Sequence, residues 1–297
     1  MKPELRHLRY LLAVAEHANF TRAAEELRIS QPTLSQQVRQ LEKALGVQLL
    51  DRTGRSVRLT DAGSAYVHHA RRALRDLAAG ERAVLDVHDL SRGHLRLAVT
   101  PTFTAYLTGP LVAGFYDRHP GITLDVREMT QDRMEAELLD DRLDLGVAFS
   151  GAHLPGVEAD TLCAESLSLV VGAGDPEADR PGPLPVTDLR ERHLALLSED
   201  FATRRHIDDH FTAHGVRPRI AIEANSVNAL IEIVARTSLA TVLPDAVTRD
   251  HPHLAPVPLA PAIPSRTVTL LRRESAYRSA AVRAFTELAG QWARSLD

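Results

Sequence analysis

The stretch Phe20–Leu59, FTRAAEELRISQPTLSQQVRQLEKALGVQLLDRTGRSVRL, leaves a chain few ways to fold. Its first part predicts a short helix over Thr21–Leu27 with Ala23, Ala24 and Leu27 on one side, small enough for a second helix to cross closely. Arg28-Ile29-Ser30 reads as the turn. The Ser30 hydroxyl suits the cap of the next helix, and Pro32 fits a first turn, where a missing N–H costs nothing. That helix turns Leu34, Val38, Leu41 and Leu45 inward. Gln31, Thr33, Ser35, Gln36, Arg39, Gln40 and Lys43 remain outward, with no acidic residue before Glu42. Amides and hydroxyls of this kind read base edges, and arginine binds guanine through two hydrogen bonds. A hairpin follows, Gln48–Leu50 and Ser56–Leu59 around Asp51-Arg52-Thr53-Gly54-Arg55, with Arg52, Arg55 and Arg58 crowded on it. Beside a recognition helix such arginines suit phosphates or the minor groove. A polar helix face alone says little. The alanine-rich partner helix, the Ser-Gln-Pro entry and the wing together point to duplex DNA.

The net charge of −4 resolves into two opposite parts. Residues 1–75 carry 13 Lys+Arg against 7 Asp+Glu, and the remaining residues carry 22 against 32. A basic head on an acidic body confines electrostatic attraction for DNA to one end. The length, 297 residues, suits two or three domains. The single cysteine, Cys163, excludes a disulfide within the chain and any multi-cysteine metal site; among Leu162, Ala164 and Leu167 it reads as a buried, inert thiol. The first residues form an amphipathic helix pattern (Leu5, Leu8, Leu11, Leu12, Ala15) rather than a signal sequence. No apolar run is long enough for a bilayer, so a cytoplasmic location without membrane contact is expected.

After Thr60-Asp61-Ala62-Gly63 a long helix is predicted to about Asp89. Ala70, Ala73, Leu77, Val84 and Val87 form a heptad-like seam, and Arg71, Arg72, Arg75, Asp76, Glu81 and Arg82 the other face. Such a helix is expected to pair with its copy in a second chain, placing two DNA-reading heads on one axis. Ser91-Arg92-Gly93 reads as a hinge. Beyond it, strands are predicted at Leu95–Val99, Ile122–Glu128, Leu145–Phe149, Leu167–Val171, Leu194–Leu197, Ile220–Glu223 and Leu239–Leu243. Helices are predicted at Phe103–Arg118 (interrupted near Gly109-Pro110), Gln131–Leu139, Arg204–Ala213, Val227–Arg236 and Ser279–Leu296. This alternation predicts a mainly parallel α/β architecture with two lobes and a ligand cleft at strand ends.

Val99-Thr100-Pro101-Thr102-Phe103-Thr104 leaves a strand and enters a helix with three hydroxyls and no Lys or Arg. Helix N-termini attract anions, so a small anion held mainly by neutral donors is expected there. Phe201-Ala202-Thr203-Arg204 and Ala224-Asn225-Ser226 repeat the geometry. As a purely structural feature, threonines at one such place are ordinary caps; three hydroxyl-bearing helix starts around one cleft favour the ligand. His206, His210 and His214 share a helical spacing but lack the catalytic glutamate of a metalloprotease, and they read as solvated surface histidines, as do His251 and His253. No metal, cofactor or catalytic constellation is expected, since there is no nucleophile elbow, P-loop or dinucleotide fingerprint; the chain reads as a binding protein rather than an enzyme.

AxxLxxSQPTLSQQVRQLEKALG followed by LLDRTGRSVRLTDAG, with the long helix and two-lobed body, resembles the LysR-type transcriptional regulators over the full length. The resemblance implies a winged helix-turn-helix at 1–59, a linker helix for dimerisation at 60–90 and a periplasmic-binding-protein-like (type 2) α/β effector domain at 91–297. The last would divide into about 91–163 plus 265–297, and 164–264. Leu50 departs from the family's usual Phe. The family's DNA contacts carry over to Gln31, Pro32, Thr33, Ser35, Gln36 and Arg39, with Thr21, Arg22 and Ser30 beside them and Arg52 and Arg55 on the wing. Its effector contacts carry over to Thr100, Pro101, Thr102, Phe149, Ser150, Thr203 and Ser226. RLAVTPTFTAYLTGPL, LLSEDFATR and IEANSVNALIEIVARTSLATVLP are most similar to the cyanate-responsive members. That implies cyanate as inducer, azide as its mimic, activation of cyanate-detoxification genes, tetramers built from dimers, and RNA polymerase as a partner; the alternative is a regulator of the same family that senses another small anion, a carboxylate or sulfur oxyanion, and after it a solute-binding protein.

Overall fold

The structure, a computed structural model, describes residues 3–53, 56–86 and 92–294; for residues 75, 79 and 81–86 it describes the backbone alone. Gly54, Arg55, Val87, Asp89 and Ser91 lie outside the described residues, as do the side chains of Arg75, Glu81, Arg82 and Val84. The chain divides into two compact units, Met1–Val87 and His88–Asp297.

In the first unit, α1 (Leu5–His17), α2 (Phe20–Glu26) and α3 (Gln31–Leu45) precede a hairpin of β1 (Leu50–Asp51) and β2 (Arg58–Leu59), and then α4 (Asp61–Asp86). Leu11, Val14, Ala23, Ala24, Leu34, Val38, Leu41, Leu49 and Val67 form its core, each large aliphatic side chain contributing about 1.5–3 kcal/mol on burial. The buried face of α1 is His7, Leu11, Ala13 and Val14, whereas Leu5, expected inward, is exposed. His7 is tied down by Glu4 N–H at Nδ1 and by Gln37 at Nε2, 3.1 Å away. Helix α2 starts one residue earlier than expected because Asn19 accepts the N–H groups of Thr21 and Arg22. Ser30 caps α3 by accepting Thr33 N–H at 3.3 Å. Gly46, at φ +69°, ends α3 in the left-handed region. Thr60 Oγ1 accepts Gly63 N–H and donates to the Gln48 carbonyl. A Cβ at Gly63 would overlap the Leu49 carbonyl oxygen, which explains the glycine in RLTDAG. Along α4, Ala70 is buried, but Ala73 and Leu77 are exposed in the single chain.

The second unit begins with β3 (Gly93–Val99), so Gly93, expected in a hinge, is already paired with Ile122. A single 3₁₀ turn at Pro101–Ala105 follows, then α5 (Thr108–Arg118), β4 (Ile122–Glu128), α6 (Gln131–Leu139), β5 (Leu145–Phe149) and β6 (Val157–Glu165). The expected helix Phe103–Arg118 is therefore broken at Tyr106-Leu107, not at Gly109-Pro110. Pro110 sits in the first turn of α5, where no N–H is needed. The next elements are β7 (Leu167–Gly172), β8 (Leu184–Pro185), β9 (His193–Leu197), α7 (Ala202–Ala213), β10 (Arg219–Ala224), α8 (Val227–Arg236), β11 (Thr241–Pro244) and α9 (Asp245–Arg249). The chain closes with β12 (Leu254–Val257), β13 (Leu259–Ala260), β14 (Arg266–Arg273) and α10 (Ala280–Arg294).

One sheet has the order β4-β3-β5-β14-β6. Its first three strands are parallel, as the alternation predicts, while β14 runs antiparallel to both β5 and β6. The second lobe places β7 between β11 and β12, both antiparallel to it, beside parallel pairs β9–β10 and β8–β13. The chain leaves the first lobe through Ser166 and returns through Ser265, whose hydroxyls lie 3.3 Å apart. The two strands that lead into the crossing, β6 and β14, pair along their length, and Arg266 stands opposite Glu165 at the end of the ladder nearest the crossing.

Candidate functional site

In the first unit the outward face of α3 has the residues expected of it. Gln31, Pro32, Ser35, Gln36, Arg39, Gln40 and Lys43 line one open, shallow depression, and Thr33, Thr21 and Arg22 are exposed. The Ser30 hydroxyl is occupied as a cap and lies 2.7 Å from Thr33 Oγ1. Arg52 departs from the expectation of a free wing arginine. Its Nη2 donates to Glu42 at 2.8 Å, and its guanidinium carbon lies 5.3 Å from the centre of the Phe20 ring. Glu42 is buried because it also accepts the N–H groups of Leu49 and Leu50. This carboxylate satisfies two backbone donors that would otherwise be orphaned at the start of the wing. Arg58 is exposed, whereas Arg55 lies outside the described residues.

In the second unit two of the predicted effector contacts meet directly. Thr102 Oγ1 and Thr203 Oγ1 are 2.9 Å apart, joining the turn after β3 to the start of α7. Both are buried, as is Thr100, whose Oγ1 has no hydrogen-bond partner among the described residues. Phe149, at the end of β5, is buried against Phe103. Pro101 is half-buried. Ser150 is exposed, with its backbone N–H bonded to the Thr267 carbonyl. Ser226 caps α8 by accepting Ala229 N–H at 3.3 Å.

Beside these neutral donors stands a charged one that the sequence reading does not include, Arg266, the first residue of β14. Its guanidinium lies 3.7 Å from the Phe149 ring centre, and Nη1 donates to Thr203 Oγ1 at 3.2 Å. Nε and Nη2 both donate to Glu165 Oε2, the former at 3.0 Å. Tyr106 Oη donates to the other carboxylate oxygen at 2.5 Å. The exposures of the Arg266 and Glu165 side chains are 9% and 3%. Burial pushes the Glu165 carboxyl above its usual range, against the pull of Arg266 and the Tyr106 hydroxyl. Burial and the Glu165 charge hold the Tyr106 hydroxyl far above its ordinary value, so it stays protonated. The 3₁₀ turn at 101–105 is too short to supply a helix dipole, and the positive charge near it is that of Arg266.

Two further expectations change. His210 is buried, not solvated, and desolvation together with neighbouring His214 pushes its imidazole below the ordinary range. His206 bonds the Pro264 carbonyl and His214 the His210 carbonyl, so the three rings serve the protein's own backbone or core. Cys163 is half-buried rather than enclosed, packed at the edge of the main core. No described helix is long and apolar enough to cross a membrane.

Comparison with known proteins accounts for both units. Residues 5–64 match the model of the bacterial regulatory helix-turn-helix protein, lysR family, and residues 88–294 that of the LysR substrate binding domain. The chain is similar to the nitrogen assimilation regulatory protein nac of Klebsiella aerogenes, 32% identical over 82% of this chain and 79% of the relative. It is also similar to a hydrogen peroxide-inducible genes activator of Pectobacterium carotovorum subsp. carotovorum, 29% identical over 91% and 90%. Among solved structures, full-length CbnR complexed with its target DNA is 26% identical, with a TM-score of 0.63 over 97% of this chain and 99% of that one. These relatives are regulators, not enzymes.

Proposed function

The chain belongs to the LysR family of bacterial transcriptional regulators, and from that premise we propose that its α3 face reads promoter DNA while its second unit takes up a small anion at Thr102, Thr203 and Arg266. The observation that carries the effector reading is the buried Arg266, stacked on Phe149 and bonded to Thr203. A buried guanidinium needs an anion, which Glu165 supplies in this structure, and its planar fork suits an incoming anion with two acceptor atoms.

On the DNA side we assign base reading to Gln31, Pro32, Thr33, Ser35, Gln36 and Arg39, with Thr21, Arg22 and Ser30 at the backbone. Arg52 acts by fixing the wing to Glu42. Leu77, 47% exposed on α4, supports pairing of that helix with a second copy, and a dimer of dimers then follows the family pattern, as does contact with RNA polymerase.

Cyanate, with azide as mimic and cyanate-detoxification genes as targets, is the effector that sequence resemblance supports: a linear monoanion without hydrogens matches a cluster of threonine donors. A carboxylate or sulfur oxyanion is the reading Arg266 favours, because the guanidinium already holds a carboxylate in this structure. A peroxide sensor that closes a disulfide within one chain needs two thiols, and only Cys163 is present. Thermal melting of the full chain separates the candidates at constant ionic strength. An anion at about 100 times its Kd stabilises its unit by about 2.7 kcal/mol, and Thr102→Val should remove that shift. Stabilisation by acetate or sulfite but not cyanate selects the second reading; no shift with any of these anions or azide rejects the small-anion effector.

A further inference from the structure

Glu165 stands where an effector's charge would be expected. Every described hydrogen bond to it is donated, by Tyr106 Oη to Oε1 and by Arg266 Nε and Nη2 to Oε2. Donors on both oxygens match an ionised carboxylate, the same chemistry that the site would offer an incoming anion. We propose that Glu165 is a built-in occupant of the effector site, that an arriving anion displaces it from Arg266, and that the displaced carboxylate takes up a proton. This inference rests on the reading of the cleft as an anion site.

The supports on the two partners differ in a way that permits the exchange. Arg266 is held independently of Glu165, by the Phe149 ring on one side and Thr203 Oγ1 on the other. It stays in place when the carboxylate turns away. The Glu165 carboxylate is held by side chains alone in the described bonds, so its departure breaks no backbone hydrogen bond. Thr102 Oγ1 and the unpartnered Thr100 Oγ1 are buried on the turn beside the arginine's partner Thr203 and can serve a newcomer.

The proton follows from charge balance. One buried cation faces one buried anion, and a second anion without compensation would leave net negative charge in a dry site. One proton entering with one anion keeps that balance unchanged. The titratable groups facing Glu165 are Tyr106 after the 3₁₀ turn, Arg266 on β14 and His206 on α7, and Cys163 on β6 faces Tyr106. Tyr106 stays protonated, and His206 is bonded to the Pro264 carbonyl. Glu165 itself is the group that burial already pushes upward while Arg266 is beside it. Losing that arginine raises it further. The bound state then carries one proton more than the free state, so binding tightens as pH falls and weakens as pH rises.

Calorimetry on the full chain tests this with sodium acetate and sodium cyanate, in two buffers of different ionisation enthalpy. The expected result is about one proton taken up per anion, with Kd weakening about tenfold per pH unit above neutrality. Glu165→Gln keeps an acceptor for Tyr106 but removes the charge; it should bind about 10–100-fold tighter and take up no proton. Tyr106→Phe loosens the occupant without removing it, and should bind more tightly with proton uptake retained. Binding by the wild type without proton uptake overturns the inference and leaves the anion reading intact. So does unchanged or weaker binding by a Glu165→Gln protein that melts like the wild type. A silent wild type beside a binding Glu165→Gln protein supports it, and silence from both overturns it together with the anion reading. Should Glu165→Gln fail to fold, the wild-type proton count and Tyr106→Phe decide.

Discussion

Glu42–Arg52 in the first unit and Glu165–Arg266 in the second are built from the same parts: a buried glutamate, an arginine, and a phenylalanine ring against the guanidinium. Their anchors differ. Glu42 accepts two backbone N–H groups, those of Leu49 and Leu50, and so belongs to the wing as firmly as a strand would. Among the described residues the Glu165 carboxylate is gripped only by the side chains of Tyr106 and Arg266, at the end of the β6–β14 ladder. Backbone anchoring makes the first pair a structural fixture; side-chain anchoring makes the second exchangeable.

The sharpest contrast comes from removing each glutamate. Glu42→Ala leaves two N–H groups and Arg52 without their acceptor and should destabilise the first unit by about 3 kcal/mol. Its melting transition reads this directly, and an unchanged melt would reduce Glu42 to a surface ion pair. Glu165→Gln should instead improve anion binding, so the two substitutions act in opposite senses. Next in size is Arg266→Ala, which should weaken acetate binding about 10–100-fold through loss of charge-assisted hydrogen bonds; binding at wild-type strength would place the anion elsewhere. The smallest effect concerns Arg52. Arg52→Ala should cost about 1 kcal/mol of stability and leave the salt dependence of DNA binding unchanged. A slope reduced by about one would make Arg52 a phosphate contact.

Much of this molecule is legible in its periodicities. Ile122–Glu128, Gln131–Leu139, Leu145–Phe149 and Val227–Arg236 are found with the same bounds that pattern predicts, because each is one continuous segment whose period shows within a local window. The Thr102–Thr203 meeting was also foreshadowed by hydroxyls at two strand-to-helix junctions. Arg266 and Glu165 were not, and the reason is physical. They lie on β6 and β14, two strands that the patterning does not announce. β6 carries Glu158, Asp160 and Glu165 and is largely exposed; β14 is bracketed by Arg266 at one end and Arg272-Arg273 at the other. Their pairing joins residues about a hundred positions apart, beyond any local window. The pairing of Arg52 is hidden for the opposite reason. A hairpin arginine looks free in sequence, and only the inward turn of Glu42 captures it.

We propose, from the DNA-reading face and the anion site together, that occupancy of Arg266 alters how the α3 face engages DNA. Footprinting of the full chain on the DNA upstream of its own gene, with and without an anion at a concentration that calorimetry shows to be saturating, tests it most directly. The account predicts that the protected region changes in extent or in its hypersensitive positions when the anion binds, and that Arg266→Ala gives one footprint under both conditions. Identical wild-type footprints with and without the saturating anion would contradict it.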